Sequence, residues 1–323
     1  MNQNSVVTLK FKNHKTPEFK EVKGKEWVYF GEDNMYPDYL TELYLRSAKH
    51  NAIINAKVNY IYGGGLIIND ANSSYEQKAV ANKFIEFFEP FIRQSICDFE
   101  LYNGFALEVI WNKAGTKISQ LSYVPLSKIR TNADESIYYY SNDWRADVKQ
   151  DPEKTGFKEF KPFDFNKGGG SQLFVFKLIS PVNSKNKNVY PVPEYIGANA
   201  SIETDIEIAN YHLNNIKTGF SVGTIINFNN GVPAPEERET IEAKLKEKFT
   251  STDRANSLLI TFSQSEASKP TIEHLTPQNV DEQLNGLNDQ VIQELIIGHH
   301  IPNPLLVGIK TAGELGNKDQ IND

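Results

Sequence analysis

Between residues 199 and 220 the apolar positions fall at Ile202, Ile206, Ala209, Leu213, Ile216 and Phe220, in alternating steps of four and three. That spacing keeps one stripe of an α-helix facing a neighbour and predicts a long helix opening at Pro193-Glu194-Tyr195. Glu203, Asp205, Glu207, Asn210, Asn214 and Lys217 occupy the other side, acidic early and basic late, which complements the helix dipole. Such a helix must pack along its whole length, against its own chain or another copy.

The same period recurs upstream. Leu40, Leu43 and Tyr44, then Ile53, Ala56 and Tyr60, predict two helices from about Asp38, the second stopped by Gly63-Gly64-Gly65. That glycine run lacks the strand before it and the Gly-Lys-Ser/Thr ending of a phosphate loop, so it reads as a helix stop. A third helix spans roughly Ser74 to Asn103, with a break expected near Pro90. Downstream, Pro235 opens a helix to about Phe249 that ends in Lys244, Lys246 and Lys248. Thr276-Pro277 supplies an N-cap and first-turn pair for a helix carrying Val280, Leu284, Leu287, Val291 and Leu295, with irregularity expected at Gly286. Gly298 and Pro302 end it. Pro304 and the apolar Leu305, Leu306 and Val307 then turn the chain back into a core.

Alternation marks the strands. FALEVIWN, the turn Lys113-Ala114-Gly115 and KISQLSYV read as a hairpin. Short strands are expected at Trp27 to Phe30, at Tyr138 to Tyr140 and within Phe157 to Phe165, and buried strands at LFVFKLIS and SLLITF. GTIINF, before the turn Asn229-Asn230-Gly231, is one more, too short to form a sheet alone and so expected to pair with another subunit or a docking partner. The class is α+β. Aromatics interleaved with lysines can stack on single-stranded nucleic acid, but strand propensity alone places them in a core. The lysine-rich first 30 residues read as an arm.

Composition narrows the function. Across 323 residues, 39% hydrophobic and 23% charged, the pattern is globular, with room for one large domain or two. A net charge of −7 argues against a tight, sequence-specific grip on nucleic acid and suits a conduit that repels phosphate. Cys97 is the lone cysteine, which excludes an intramolecular disulfide or a cysteine-based zinc site and fits a reducing cytoplasm. No signal-peptide core or membrane-length apolar run is present. His299-His300, with His274, raise a metal site, but adjacent histidines seldom serve one ion and no HExxH accompanies them. A metal-dependent hydrolase using His299 and His300 is the enzymatic alternative; no cofactor is expected otherwise.

The order of these elements resembles the tailed-bacteriophage portal family from about Gly31 onward. It runs from a helical and β wing through LFVFKLIS, the long helix, GTIINF with its Asn-Gly turn, the lysine-ended helix and SLLITF to a last helix before HIPNPLLVG. The resemblance implies an arm and wing over 1–193, a stem helix over 194–218, a clip over 219–235 and a second stem helix over 236–250. A strand and tunnel-loop helix over 251–290 and a wing return over 291–323 follow, without the family's crown. It implies a non-enzymatic, homododecameric ring at the capsid vertex of the virion, made in the host cytoplasm, through which DNA is packaged and ejected. Its implied partners are itself, the terminase large subunit, the major capsid protein, a head–tail adaptor and double-stranded DNA without sequence preference. No membrane is involved, and another oligomeric head–tail adaptor component is the nearest alternative. The residues implied are Ile202, Ile206, Leu213 and Ile216 at the stem interface, and Ser221, Thr224, Ile226, Phe228, Asn229, Asn230 and Gly231 in the clip. Gln278, Asn279, Asp281, Glu282 and Gln283 face DNA in the tunnel loop.

Overall fold

A computed structural model describes residues 17–68, 73–145, 149, 152–179, 189–217, 224–228, 231, 233–241, 258–263 and 280–308. The chain divides after Glu203 and again after Val291 into two compact units, the inner one formed by Thr204–Val291.

The outer unit begins with β1 (Lys20–Glu21) paired antiparallel to β2 (Val28–Tyr29). Phe19, Trp27, Val28 and Phe30 are buried, so residues 17–30 are pinned to the core at both ends, whereas 20–26 between them are mostly exposed. Helix α1 (Tyr36–Arg46) and helix α2 (Ala48–Tyr62) bury Leu40, Leu43, Ile53, Ile54 and Val58. The Ser47 side chain accepts the His50 N–H and restarts the chain as α2. Gly63, at φ 51°, stops it. Tyr60, expected on the inner face, is exposed.

Helix α3 (Tyr75–Tyr102) opens on a capping box between Ser74 and Gln77 and closes on left-handed Asn103. The break expected at Pro90 is absent. Pro90 and Glu86 are both exposed, so the carbonyl that the missing N–H frees can turn to water. Only from Phe91 onward is the helix buried.

The expected hairpin forms β3 (Gly104–Trp111) and β4 (Ile118–Val124). Then come β5 (Ile129–Thr131), β6 (Tyr138–Tyr140), the short helix α4 (Pro152–Thr155), β7 (Lys158–Pro162) and β8 (Ser171–Lys177). They make one sheet in the order β4-β3-β8-β7-β6-β5, antiparallel except for β7 with β8. Strand β8 is only partly buried, with Phe176 exposed, unlike the buried strand expected of LFVFKLIS. Tyr139 packs with Trp27 and Trp144, Tyr138 and Phe160 are buried as cross-strand partners, and Phe165 is exposed.

A 3-10 turn (Glu194–Ala198) leads into α5 (Asn199–Lys217). In the inner unit, β9 (Thr224–Phe228) pairs in parallel with β10 (Leu258–Phe262), and a helix described over 235–241 (α6) lies between them in sequence. Helix α7 (Val280–Gly298) runs unbroken through Gly286. A 3-10 turn (Pro304–Val307), capped by Asn303, follows. Among the described residues no helix is long and apolar enough to cross a membrane.

Candidate functional site

Helix α5 carries the expected seam for part of its length. Ile202 is fully buried and Ile206 is 6% exposed, but Ala209 is exposed and Leu213 is 50% exposed. Ile216 lies in α5 with its side chain outside the described residues. The buried positions are Ser201, Ile202, Asp205, Ile206 and Ile208. Ile208 therefore replaces Ala209, and Asp205 moves from the polar side to the buried one. At 3.6 residues per turn Leu213 returns to within about 20° of Ile202, so the seam stays on one face, and its exposure from Ala209 onward marks where the covering of that face stops. Two bonds anchor the start: Ser201 Oγ donates to Glu294 Oε2 at 2.5 Å and Tyr39 Oη to Glu203 Oε1 at 3.0 Å.

The clip residues sit on β9 and just past it. Thr224, Ile226 and Phe228 stand opposite Leu258, Ile260 and Phe262, and the rings of Phe228 and Phe262 stack at 5.5 Å. Ser263 N–H donates to the Phe228 carbonyl and Gly231 N–H, at φ 109°, to the Ser263 carbonyl. Strand β9 thus finds one partner within its own chain, which corrects the expectation that it must look outside for pairing. A parallel pair needs a crossover connection, and α6 lies in it. Ser221, Asn229 and Asn230 fall outside the described residues.

Of the tunnel-loop residues, Asp281, Glu282 and Gln283 lie in the first turns of α7, where carboxylates complement the helix dipole. The chain is helical, not a loop, from Val280. Gln278 and Asn279 lie outside the described residues.

The two adjacent histidines part company. His300 is exposed and takes the left-handed conformation, φ 57°, that ends α7. Ile301 N–H donates to the Ile296 carbonyl and His300 N–H to the Ile297 carbonyl, both at 3.0 Å, the pair of bonds that closes a helix on a left-handed residue. Gly298, read as the stop signal, serves a different end. A Cβ on it would lie 2.5 Å from the Ala198 Cβ, so it permits close packing on the 3-10 turn before α5.

His299 is buried, its Nε2 2.9 Å from Nδ1 of His50, and the Tyr195 ring lies 4.8 Å from both. Two nitrogens on one tetrahedral zinc, each about 2.0–2.1 Å from it, would stand wider apart. The 2.9 Å contact is a hydrogen bond. Among the described residues no three His, Cys, Asp or Glu side chains are grouped to hold a metal ion. The Ser47 cap was a visible signal for the start of α2. Nothing in the sequence marks His50 as the partner of a residue 249 positions away.

No protein-family profile matches the sequence, and no curated protein does. Among solved structures, one chain in the neck of an empty gene transfer agent particle superposes with a TM-score of 0.57 at 14% identity, over 93% of this chain and 76% of that one. A chain from the virion of a native gene transfer agent particle gives 0.53 at 13% identity, with the same coverage. The likeness is one of fold.

Proposed function

We propose that this chain is a portal-type protein of a tailed-phage-like particle, a ring subunit at the capsid vertex through which double-stranded DNA enters and leaves. What supports this most is the fold shared over 93% of the chain with a particle-neck chain. The element order of the sequence agrees with it.

In this assignment the outer unit is the wing. The chain passes between its units within α5 and α7, so these two helices form the stem. Strands β9 and β10, with the described α6 (235–241) between them in sequence, form the clip. The exposed Tyr211 and Leu213 on α5 meet the next subunit of a twelve-copy ring. The clip docks the terminase large subunit and later a head–tail adaptor, and the wing meets the major capsid protein. Net negative charge keeps the DNA sliding.

Deleting residues 229–231 tests the clip. The variant should keep its wing folded by circular dichroism and lose capture of the terminase large subunit. Undiminished capture by the folded variant removes the clip from that role.

A further inference from the structure

The segment after α7 is tied to α2 at two points. At the inner one His50 Nδ1 meets His299 Nε2 at 2.9 Å; at the outer one Tyr60 Oη donates to the Leu306 carbonyl at 2.9 Å. The points lie about 15 Å apart along α2, from a rise of about 1.5 Å per residue. The turn between them closes on its own backbone bonds. The histidine pair is therefore its buried tie to α2.

Two ring nitrogens at 2.9 Å share one proton, one donating and the other accepting. The pair holds one positive charge at most, because two imidazolium rings would set N–H against N–H. Among the described residues, these groups face it. Helix α1 presents Tyr44, and α2 presents Lys57. Helix α3 presents Glu100, whose carboxylate lies 2.5 Å from Lys57 Nζ. The 3-10 turn before α5 presents Tyr195 and the exposed Glu194, and the end of α7 presents His300. Lys57 and Glu100 neutralise each other, so neither serves as a dedicated counter-ion for a buried imidazolium.

His299 Nδ1 has no hydrogen-bond partner among the described residues. His299 lines a cavity of about 20 Å³ together with Lys57, Glu100, Asn103, Glu194 and Tyr195. That is room for one water, which gives protons a route inward. We infer that the His50–His299 pair is a proton-operated latch, holding the turn after α7 to α2 while at most one ring is charged and releasing it when both take protons. Burial, then His50 and Lys57, hold the His299 ring far below its ordinary 6.5, in agreement with a latch whose His299 ring charges only on opening.

Hydrogen exchange by mass spectrometry on the full chain, corrected for intrinsic rates, reads the opening directly. A histidine uncharged when closed and titrating near 6.5 when open raises the opening equilibrium about 25-fold from pH 7 to pH 5. Peptides over 292–301 should show at least that rise, while those over β3 and β8 stay level. The double variant His50→Gln with His299→Gln should lose the rise. No rise in the wild type overturns the latch, and so does a rise that persists in the double variant, which would assign it to Glu100 or Glu194. Should the variant not fold, deuterium exchange at C2 of His299 in the wild type decides. Slow exchange at pH 7 that follows backbone opening supports the latch, and exchange as fast as in the unfolded chain overturns it.

Discussion

Arg130 is fully buried, and its hydrogen bonds run to Asn34 Oδ1, the Asn34 carbonyl, and the carbonyls of Ser127 and Ile129. Its guanidinium lies 5.5 Å from the Phe30 ring and 4.9 Å from the Trp144 ring. The planar fork reaches several acceptors at once, which a lysine ammonium cannot. Arg130→Ala should cost about 3–5 kcal/mol in urea unfolding, from orphaned acceptors and an emptied site. Arg130→Lys should recover little of it. Asp98 is another buried ionisable group, taking hydrogen bonds from Leu126 N–H and Tyr123 Oη, each at 2.8 Å. Burial outweighs those bonds and pushes its carboxyl up to about 7. The native state then holds a proton that the unfolded chain has lost above about 3.9, so Asp98 favours folding at low pH and less so as pH rises toward 7. His299 acts in the opposite sense: its stability is present above 6.5 and lost as pH falls below it. Asp98→Asn should therefore gain on the wild type between pH 4 and pH 7, by at most about 1.4 kcal/mol per pH unit. Denaturant midpoints that keep a constant gap across that range would remove the assignment. The partnerships of Arg130 with Asn34 and of Asp98 with Tyr123 and Leu126 were not legible in the sequence, because each joins residues far apart in the chain by side-chain geometry that no spacing records.

At the level of elements, the sequence carried most of the helices and the β3–β4 hairpin, since these depend on local periodicity, caps and turn residues. It misplaced what depends on remote contact. Gly298 looks like a helix stop, yet the left-handed residue is His300, two positions later. The two sites predict opposite responses to gaining and losing a glycine. His300→Gly should raise stability by about 1 kcal/mol, because glycine adopts that conformation without penalty. Gly298→Ala should lower it by about 1–3 kcal/mol despite alanine's better helix propensity, because its Cβ meets Ala198. Thermal unfolding of both variants checks the pair, and a stabilised Gly298→Ala would show that the contact yields. The parallel partnership of β9 with β10 was likewise invisible, since both strands read as short apolar runs and pairing across a crossover leaves no local mark.

For the whole molecule, the mixture of helix and strand and much of the element order were readable, and the candidate site only in outline. Ile202 and Ile206 of the α5 seam are buried as expected, but how far along the helix that face stays covered depends on remote packing, which a list of apolar positions does not contain. Replacing Gln278, Asn279 and Gln283 with lysine should leave ring assembly intact while slowing DNA passage, with relief by added salt. Unchanged passage in assembled rings would place the start of α7 away from the DNA. Ile206→Asp would set a carboxylate at a buried position at a cost of several kcal/mol. Sedimentation should then show lost rings or misfolded protein. The central claim is the ring itself, and cryo-electron microscopy of the purified chain tests it most directly. Class averages should show closed rings, twelve subunits around an open central pore wide enough for a DNA duplex; monomers, or closed assemblies without a pore, would contradict it.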